Sequence, residues 1–569
     1  MAAPLQQLAL LRLLPGLTIA LFLGPIAAGL LGTLLPAFGY LPALGGERLS
    51  LEPWHQLMAA PGLGTALRLS LTTGLLSTAV ALALTVLVFA AGHGTRLLTR
   101  AKQSMTPVLA VPHLAMAVGL AFLIAPSGWL VRLASPWLTG WHQPPDLALV
   151  HDPYGLALTL GLAVKETPFL ILMTFAALGQ VPADEQLRMA RSLGYGPVCA
   201  WLKVTLPRVY PLIRLPVYAV LAYSLSVVDM AIVLGPSTPP TLAVLVLRWF
   251  HDPDLAMRFQ AAAGACLQLA LVLTAIGLWR GLEKAVVWCA GPWLVGGGRG
   301  GSGRPAKLAA WIGITLLLGL ALGSVVSLAA WSVAGPWRFP DAWPRGLMLD
   351  GWEHRLLAVA RPTWTTLTIG LATTLVALLL VVGCLENESR QRRTPGRGVL
   401  TMIYLPLLAP QIGFLFGVQL LLVRIGLDGT YVAVVWAHLL FVLPYVFLTL
   451  ADPYRSLDPR YARSALALGR PAWVVWLRVK LVMLLRPLLI AAAVGFAVSA
   501  AQYVPTLFAG GGRIATLTTD ALSLASGGNR RTVGVIAFTL ALLPLLGFAL
   551  ATGVPAWRFR HRGALRVAT

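Results

Sequence analysis

The chain has 569 residues, of which 58% are hydrophobic and only 11% are charged, and its formal net charge is +23. Soluble domains carry about a quarter charged residues, so this composition excludes a soluble protein and indicates an integral membrane protein. The positive charge does not indicate a nucleic-acid partner. With the N-terminus inside, most Lys and Arg residues fall on cytoplasmic segments, and this positive-inside bias predicts a multi-pass inner-membrane protein with both termini in the cytoplasm.

Apolar runs of about 20 residues, the length that crosses a bilayer, recur along the whole chain. The alternating polarity of a β-barrel is absent, so the spans are predicted to be helices and the fold class all-α and polytopic. The twelve expected spans lie near 15–35, 63–91, 105–130, 154–178, 211–235, 259–279, 308–332, 363–385, 399–424, 431–451, 487–508 and 532–555.

A Gly-rich, basic segment, VGGGRGGSGRP (295–305), interrupts the spans near the middle of the chain. Its composition predicts a flexible cytoplasmic linker. We therefore divide the chain into a first half of six spans (1–290), a linker (291–307) and a second half of six spans (308–569).

The two halves share a basic cytoplasmic loop before their fifth span, which we call loop A (183–206) and loop B (458–481). Aligning 187–206 with 462–481 without gaps gives eight identities in twenty positions, far more than composition alone produces. The similarity continues into the flanking spans. A duplication in the same direction predicts two parallel six-helix repeats, related by an axis along the membrane normal, with a path for solute between them.

Each loop has the pattern of a short amphipathic helix that ends at a glycine. The apolar stripes are Leu187, Ala190 and Leu193 in loop A, and Ala462, Ala465 and Leu468 in loop B. Arg188 and Arg463 lie on the other face. Gly194 and Gly469 are predicted to end the helices in a left-handed turn, and a second short helix then carries Trp201 or Trp476.

Interfacial helices that rest on anionic membrane lipid are one interpretation of such loops. Two loops in matching register favour docking to a partner protein, because lipid does not require register. The loops resemble the EAA loops of fused, two-domain permeases of the binding-protein-dependent ABC importers. The first copy reads RMARSLG (188–194) with VTLP (204–207), and the second reads RSALALG (463–469) with VKLV (479–482).

The resemblance implies several partners. In that family the loops dock on a dimer of cytoplasmic ATP-binding-cassette ATPase subunits, and an extracytoplasmic solute-binding protein delivers a small-molecule substrate. Here it would contact the predicted outer loops 131–153, 236–258 and 333–361. The chain departs from the family pattern because Arg188 and Arg463 stand where a glutamate is usual. The overall pattern is similar to that of thiamine and ferric-iron importers.

Ionisable residues inside spans are costly and are therefore candidates for the translocation path. Asp229 and Gln502 occupy matching positions in the two halves, which favours a place on the path. Lys165 and Glu166 are equally well explained as an ion pair or as a snorkelling lysine near the membrane surface. His438 has the alternative of a hydrogen-bonded core histidine.

No motif indicates an enzyme. No lysine lies in a Gly-Lys-Ser/Thr context, and nucleophile elbow, HExxH and CxxC patterns are absent, so we expect no catalytic residue, no metal and no cofactor in this chain. ATP hydrolysis is expected on a partner chain. The alternatives are a secondary, ion-gradient-driven transporter, which would not need two matched cytoplasmic loops, and a membrane-embedded enzyme, which would need a catalytic constellation.

Overall fold

The computed structural model describes residues 3–348, 352, 356–391, 396–525, 527, 529–558 and 560. The described residues form helices joined by turns and contain no strand, which confirms the all-α fold class. Ten of these helices are long and apolar enough to cross a membrane, and two bent helix pairs raise the number of spans to twelve if each pair counts as one. The chain ends, 1–2 and 561–569, lie outside the described residues, so their cytoplasmic location stays a prediction.

The first half places its long helices around several short ones. In chain order they are α1 (Ala3–Ala37), α2 (Glu52–Ala59), α3 (Leu63–Gly92), α4 (Arg96–Ala110), α5 (His113–Ile124), α6 (Trp129–Ala134), α7 (Leu156–Leu178), α8 (Ala183–Ser192), α9 (Pro197–Ala200), α10 (Leu206–Ser226), α11 (Asp229–Leu234), α12 (Leu242–Phe250) and α13 (Met257–Val295). A π-helical turn, Trp201–Thr205, joins α9 to α10.

The second half runs through nearly the same order of elements. Its helices are α14 (Arg304–Val333), α15 (Leu356–Gln391), α16 (Arg397–Leu408), α17 (Ile412–Arg424), α18 (Tyr431–Arg455), α19 (Pro459–Ala467), α20 (Ala472–Val475), α21 (Leu481–Met483), α22 (Leu485–Ala500), α23 (Val504–Gly510), α24 (Leu517–Ala525) and α25 (Arg530–Arg558). Again a π-helical turn, Trp476–Lys480, follows the second short loop helix.

Two expected spans are broken at a proline. The span predicted at 105–130 divides into α4 and α5 around Pro112, and the span predicted at 399–424 divides into α16 and α17 around Pro410. The latter pair bends by 106°. The residue before a proline disfavours helical backbone and proline donates no backbone hydrogen bond, so each helix ends there although the sequence stays apolar.

The fifth and eleventh expected spans, 211–235 and 487–508, are also discontinuous. α10 ends at Ser226 and α11 begins at Asp229, while α22 ends at Ala500 and α23 begins at Val504. In each half the break falls at the polar residue that is predicted to line the translocation path, Asp229 in the first half and Gln502 in the second.

The first helix of each half packs against the other half. α1 contacts α17 and α15, and α14 contacts α5 and α3. The closest approaches use glycines: a Cβ on Gly417 would collide with the backbone of Gly29 in α1, and a Cβ on Gly119 would collide with the carbonyl oxygen of Ser324 in α14. The halves are therefore joined by reciprocal exchange of their first helices.

One predicted outer loop contains a buried helix that the sequence did not indicate. Residues 236–258 contain α12, whose side chains are nearly all buried against α13. This helix is too short to be recognised as a span, but its apolar residues occupy the core. Segment 131–153 is mostly exposed, as expected, and part of 333–361 lies outside the described residues.

The connection between the halves is shorter than predicted. α13 continues to Val295 and α14 begins at Arg304, so the non-helical linker is 296–303. All four cysteines, Cys199, Cys266, Cys289 and Cys384, are free thiols.

Candidate coupling loops and translocation path

Loop A consists of two short helices separated by a glycine turn. Gly194 ends α8 with a φ of +87°, and the next amide, Tyr195 N, donates a hydrogen bond to Ala190 O at 3.1 Å. This is the left-handed helix end that the sequence predicts. α9 then begins at Pro197 and leads through the π-helical turn into α10.

Loop B has the same backbone geometry. Gly469 has a φ of +78°, and Arg470 N donates to Ala465 O at 3.3 Å. The carboxylate of Asp458 accepts from Arg460 N at 2.8 Å and so caps the start of α19. Both halves therefore carry a helix, a left-handed glycine, a second helix and a π-helical turn at matching places.

The two loops differ in how deeply they are seated. Three predicted residues of loop A are buried: Leu187, Ala190 and Trp201. Their counterparts in loop B are only half-buried: Ala462, Ala465 and Trp476. The last residue of each predicted stripe is instead exposed, Leu193 by 64% and Leu468 by 81%, because each is the C-cap residue, where the chain turns away from its helix.

The outward surface of each loop is basic and partly apolar. Arg188 and Arg463 are exposed, next to the exposed Leu193 and Leu468. These side chains leave a free surface on each loop. Docking of a partner on that surface stays a prediction.

Asp229 and Gln502 lie at the matching helix breaks. Both side chains are largely buried, each residue being 8% exposed. The breaks free backbone groups inside the protein, and non-helical backbone at membrane depth is tolerated where protein or an aqueous cavity surrounds it. Whether these residues line the path stays a prediction.

A group of polar side chains from both halves surrounds Asp229. His113 Nε2 lies 3.3 Å from Glu166 Oε1, and the rings of His113 and Tyr223 are 4.8 Å apart. The Asp229 carboxylate lies within electrostatic range of His113, Tyr223 and Tyr503, and the Glu166 carboxylate lies within range of Tyr223 and Tyr445. We call this group the acid–tyrosine cluster: His113, Glu166, Tyr223, Asp229, Tyr445 and Tyr503.

The Lys165 side chain is bound at the end of α4. Its ammonium group donates to the carbonyl oxygens of Val108 at 3.1 Å and Leu109 at 2.9 Å, and also to that of Val111. These carbonyls lie at the end of α4, where the break at Pro112 removes their helical partners. The contact accounts for a buried lysine as a helix cap, and a role on the path stays a prediction.

His438 has a hydrogen-bond partner at each ring nitrogen. Nδ1 lies 2.8 Å from Ser499 Oγ, and Nε2 lies 2.8 Å from Thr506 Oγ1. Thr506 in turn donates to the carbonyl of Gln502 at 2.6 Å. His438 thus joins α18 to α22 and α23 across the helix break, which favours a structural role.

Comparison with known proteins identifies the family. The chain is 33% identical over 570 residues to the inner membrane ABC transporter permease protein YnjC of Escherichia coli (strain K12), and the match covers all of both chains. No protein-family model matches. The identity and the full coverage decide the matter. The chain belongs to the ABC transporter permease family.

As an ABC permease the chain is a multi-pass inner-membrane transport subunit, and such permeases work with an ATPase partner. The matched loops A and B are the obvious candidates for that contact. Within the described residues, the permease has no group of three or more His, Cys, Asp or Glu side chains that could hold a metal ion.

Loop B of the permease is anchored by a buried carboxylate that the sequence did not indicate. Glu386 in α15 accepts hydrogen bonds from Tyr454 OH at 2.6 Å, Lys480 Nζ at 2.8 Å and Arg390 Nε at 2.7 Å. Trp476 Nε1 donates to the same Tyr454 hydroxyl at 3.3 Å. The π-helical turn of loop B is therefore tied to α15 at both of its ends.

Loop A of the permease is anchored by aromatic packing instead. Trp201 stacks on Phe89 of α3 with ring centroids 6.2 Å apart, and Phe89 meets Phe175 edge-on at 4.9 Å. The two loops thus share backbone geometry and differ in what holds them. Phe89 lies far from Trp201 in the sequence, and Tyr454 lies 22 residues before Trp476 on another helix, so no local pattern reveals these partners.

Proposed function

We propose that this permease is the membrane-spanning part of an ATP-driven importer, which moves a small solute inward by alternating access. A dimer of cytoplasmic ATPase subunits would dock on loops A and B, and an extracytoplasmic binding protein would deliver the solute. One observation carries the proposal: two loops with the same helix–glycine–helix–π-turn geometry stand at matching places in the two halves. A dimeric partner requires such a repeated surface.

The acid–tyrosine cluster is the proposed solute site. It combines two acids with three tyrosines contributed by both halves, close to a helix break. Carboxylates favour a positively charged solute, and tyrosine faces add cation–π attraction. Thiamine and ferric iron, the solutes that the sequence resemblance suggests, both carry positive charge.

The ATPase requirement is tested by purifying the tagged permease from membranes of its native cell. We expect an ATP-binding-cassette subunit with a phosphate-binding loop to co-purify in a ratio of two to one permease. That subunit is then co-expressed with the permease and reconstituted into vesicles. ATP-dependent solute uptake supports the proposal.

The second candidate is a secondary transporter. It is favoured by the buried acids Glu166 and Asp229 and the half-buried His113, since clusters of titratable groups relay protons in gradient-driven carriers. Uptake by vesicles that contain the permease alone distinguishes the secondary transporter from the ATP-driven importer. Uptake driven by a proton or sodium gradient, without any ATPase, would replace the importer by this alternative.

A further inference from the structure

The linker between the halves, residues 296–303, lies along loop A. Gly196 N donates a hydrogen bond to Arg299 O at 2.8 Å, and Lys203 Nζ donates to Gly296 O at 2.7 Å. The same ammonium group stands 4.8 Å from the centre of the Trp293 ring near the end of α13. The composition alone predicts a flexible coil, but these contacts tie the linker to the first of the two matched loops.

The close approach depends on glycine on both sides. A Cβ on Gly196 would collide with the carbonyl oxygen of Gly301, and a Cβ on Gly300 would lie only 2.7 Å from Cβ of Cys199. Gly300 and Gly303 also have positive φ, +71° and +68°, which favours glycine. The glycines therefore fit a bound conformation of the linker as well as a flexible one.

Arg299 stands beside the glycine that ends α8. A Cβ on Gly194 would lie 3.3 Å from Nη1 of Arg299, so the guanidinium covers the carboxyl end of that helix, where the dipole favours a cation.

Loop B has an open turn at the corresponding place. Nothing lies within 4 Å of a Cβ on Gly469. The exposed Arg470 follows this glycine directly, whereas loop A has Tyr195 at that position. Each loop thus has an arginine near its capping glycine, supplied by the linker in one case and by the loop itself in the other.

We propose that the linker is a fixed part of the docking surface at loop A, where Arg299 supplies the positive charge that Arg470 supplies at loop B. The proposal rests on the proposed function, since the partner is the ATPase subunit. A guanidinium binds carboxylate and carbonyl oxygens with directed hydrogen bonds, so the ATPase surface that meets each turn is expected to present such oxygens. The two docking surfaces then carry similar charge although their chains differ.

Whether the linker is fixed is tested on the purified permease without any partner. The reaction of Cys199 with a maleimide is followed by mass spectrometry of the peptide that contains it. Gly196→Ala and Gly300→Ala are expected to release the linker from either side and to speed labelling by at least about fivefold, because a locally opened segment exposes the thiol. Gly297→Ala is the matched linker control, since a Cβ there meets nothing within 4 Å, and it is expected to leave the rate unchanged. Equal rates in all four proteins would overturn the proposal.

The shared charge is tested with the ATPase subunit that the purification described above identifies. Arg299→Ala and Arg470→Ala are each expected to lower the amount of retained ATPase by about threefold to tenfold, as loss of an interface charge does. Lys284→Ala, an exposed cation on α13, is the control and is expected to have no effect. If only Arg470→Ala weakens retention, the composite surface at loop A is wrong and the importer assignment stands. If the unchanged permease retains no ATPase, the docking proposal fails together with the proposed function, whatever the labelling shows.

Discussion

At the scale of single residues, a substitution at Gly469 tests whether the backbone geometry of loop B matters for ATPase docking. The φ of Gly469 is +78° and a Cβ would meet no atom within 4 Å, so a substitution acts through conformation alone. Gly469→Val is expected to strain the turn by about 1–3 kcal/mol, whereas asparagine tolerates this region better. We expect the valine variant to reach the membrane normally but to retain the ATPase poorly, and Gly469→Asn to be milder.

Co-purification of the ATPase with each variant measures this effect. Gly277→Val is the control, because that position lies in α13, outside both loops and the linker, with ordinary φ and free space around its Cβ. Normal ATPase retention by Gly469→Val would show that the shape of the turn does not matter for docking.

Asp229 is the residue whose place on the solute path is tested by a single substitution. It is buried at a helix break, within the acid–tyrosine cluster, and an acid there favours a cationic solute. Asp229→Asn keeps the size of the side chain and removes its charge, so we expect uptake of labelled thiamine to fall by about tenfold or more, which corresponds to loss of one buried charge interaction. Asp229→Glu should retain more activity.

The control for this variant is Asp452→Asn, since Asp452 is exposed near the end of α18, outside the cluster, both loops and the predicted outer segments. The amount of permease in the membrane is measured for each protein. Unchanged uptake by Asp229→Asn, at normal protein level, would remove Asp229 from the path.

At the scale of elements, the anchoring of loop B depends on Glu386. Its carboxylate holds Lys480, Tyr454 and Arg390 while only 3% exposed. Glu386→Gln leaves Lys480 and Arg390 without their charged partner, and breaking a buried pair from one side costs about 3–5 kcal/mol. We expect loop B to detach from α15 more often, so trypsin should cut at its arginines about tenfold faster.

Glu283→Gln is the matched control for this prediction. Glu283 is also buried and also bonds a tyrosine and two arginines, but the loops do not contact it: its partners are Tyr210, Arg214 and Arg280. Cleavage of loop B should stay slow in this variant. Equally slow cleavage in Glu386→Gln would mean that the carboxylate does not hold the loop.

The sequence predicted most of the helices because burial in a membrane leaves a strong compositional signal. It also predicted the turns at Gly194 and Gly469, because a glycine after a short amphipathic helix readily adopts the left-handed backbone that ends the helix. It missed the breaks in four spans, because the residues around Pro112 and Asp229 remain apolar and a hydropathy window averages over a bend. α12 was missed for the same reason: a short buried helix has the composition of an apolar loop.

No local sequence pattern predicted the contacts within the candidate site. Glu386 and Lys480 are separated by 94 residues, and Gly196 meets Arg299 across the whole of α10 to α13. Pairing of this kind depends on how the helices pack, which a single sequence does not specify. The sequence was enough to select the polar residues as candidates. Only the fold showed that Lys165 caps the end of α4, whereas Asp229 remains a candidate for the path.

At the scale of the whole molecule, the two halves are held together by exchanged helices. α1 packs against α17 and α15 of the second half as well as against α13 of its own, and α14 packs against α5 and α3 of the first half as well as against α25 of its own. Each of these helices therefore bridges the two halves. The linker is thus not needed to keep the halves associated. Its contacts with loop A instead bring the end of α13 and the start of α14 to the proposed docking surface, where movement of a bound ATPase would act on both halves at once.

The exchange of helices depends on two glycines, Gly119 in α5 and Gly417 in α17. A Cβ at either position would collide with a backbone carbonyl of the exchanged helix, and backbone cannot move aside as a flexible side chain can. We therefore expect Gly119→Ala and Gly417→Ala each to destabilise the permease by about 1–3 kcal/mol, the usual cost of overpacking. Gly413→Ala lies on the same helix as Gly417, and its Cβ would have no neighbour closer than 3.9 Å, so alanine's better helix propensity should leave that variant at least as stable as the unchanged permease. Thermal unfolding midpoints in detergent compare the three proteins, and the double variant should show the sum of the two losses because the contacts share no residue. If Gly119→Ala and Gly417→Ala melt at the same temperature as Gly413→Ala, the halves are not held by these helix crossings.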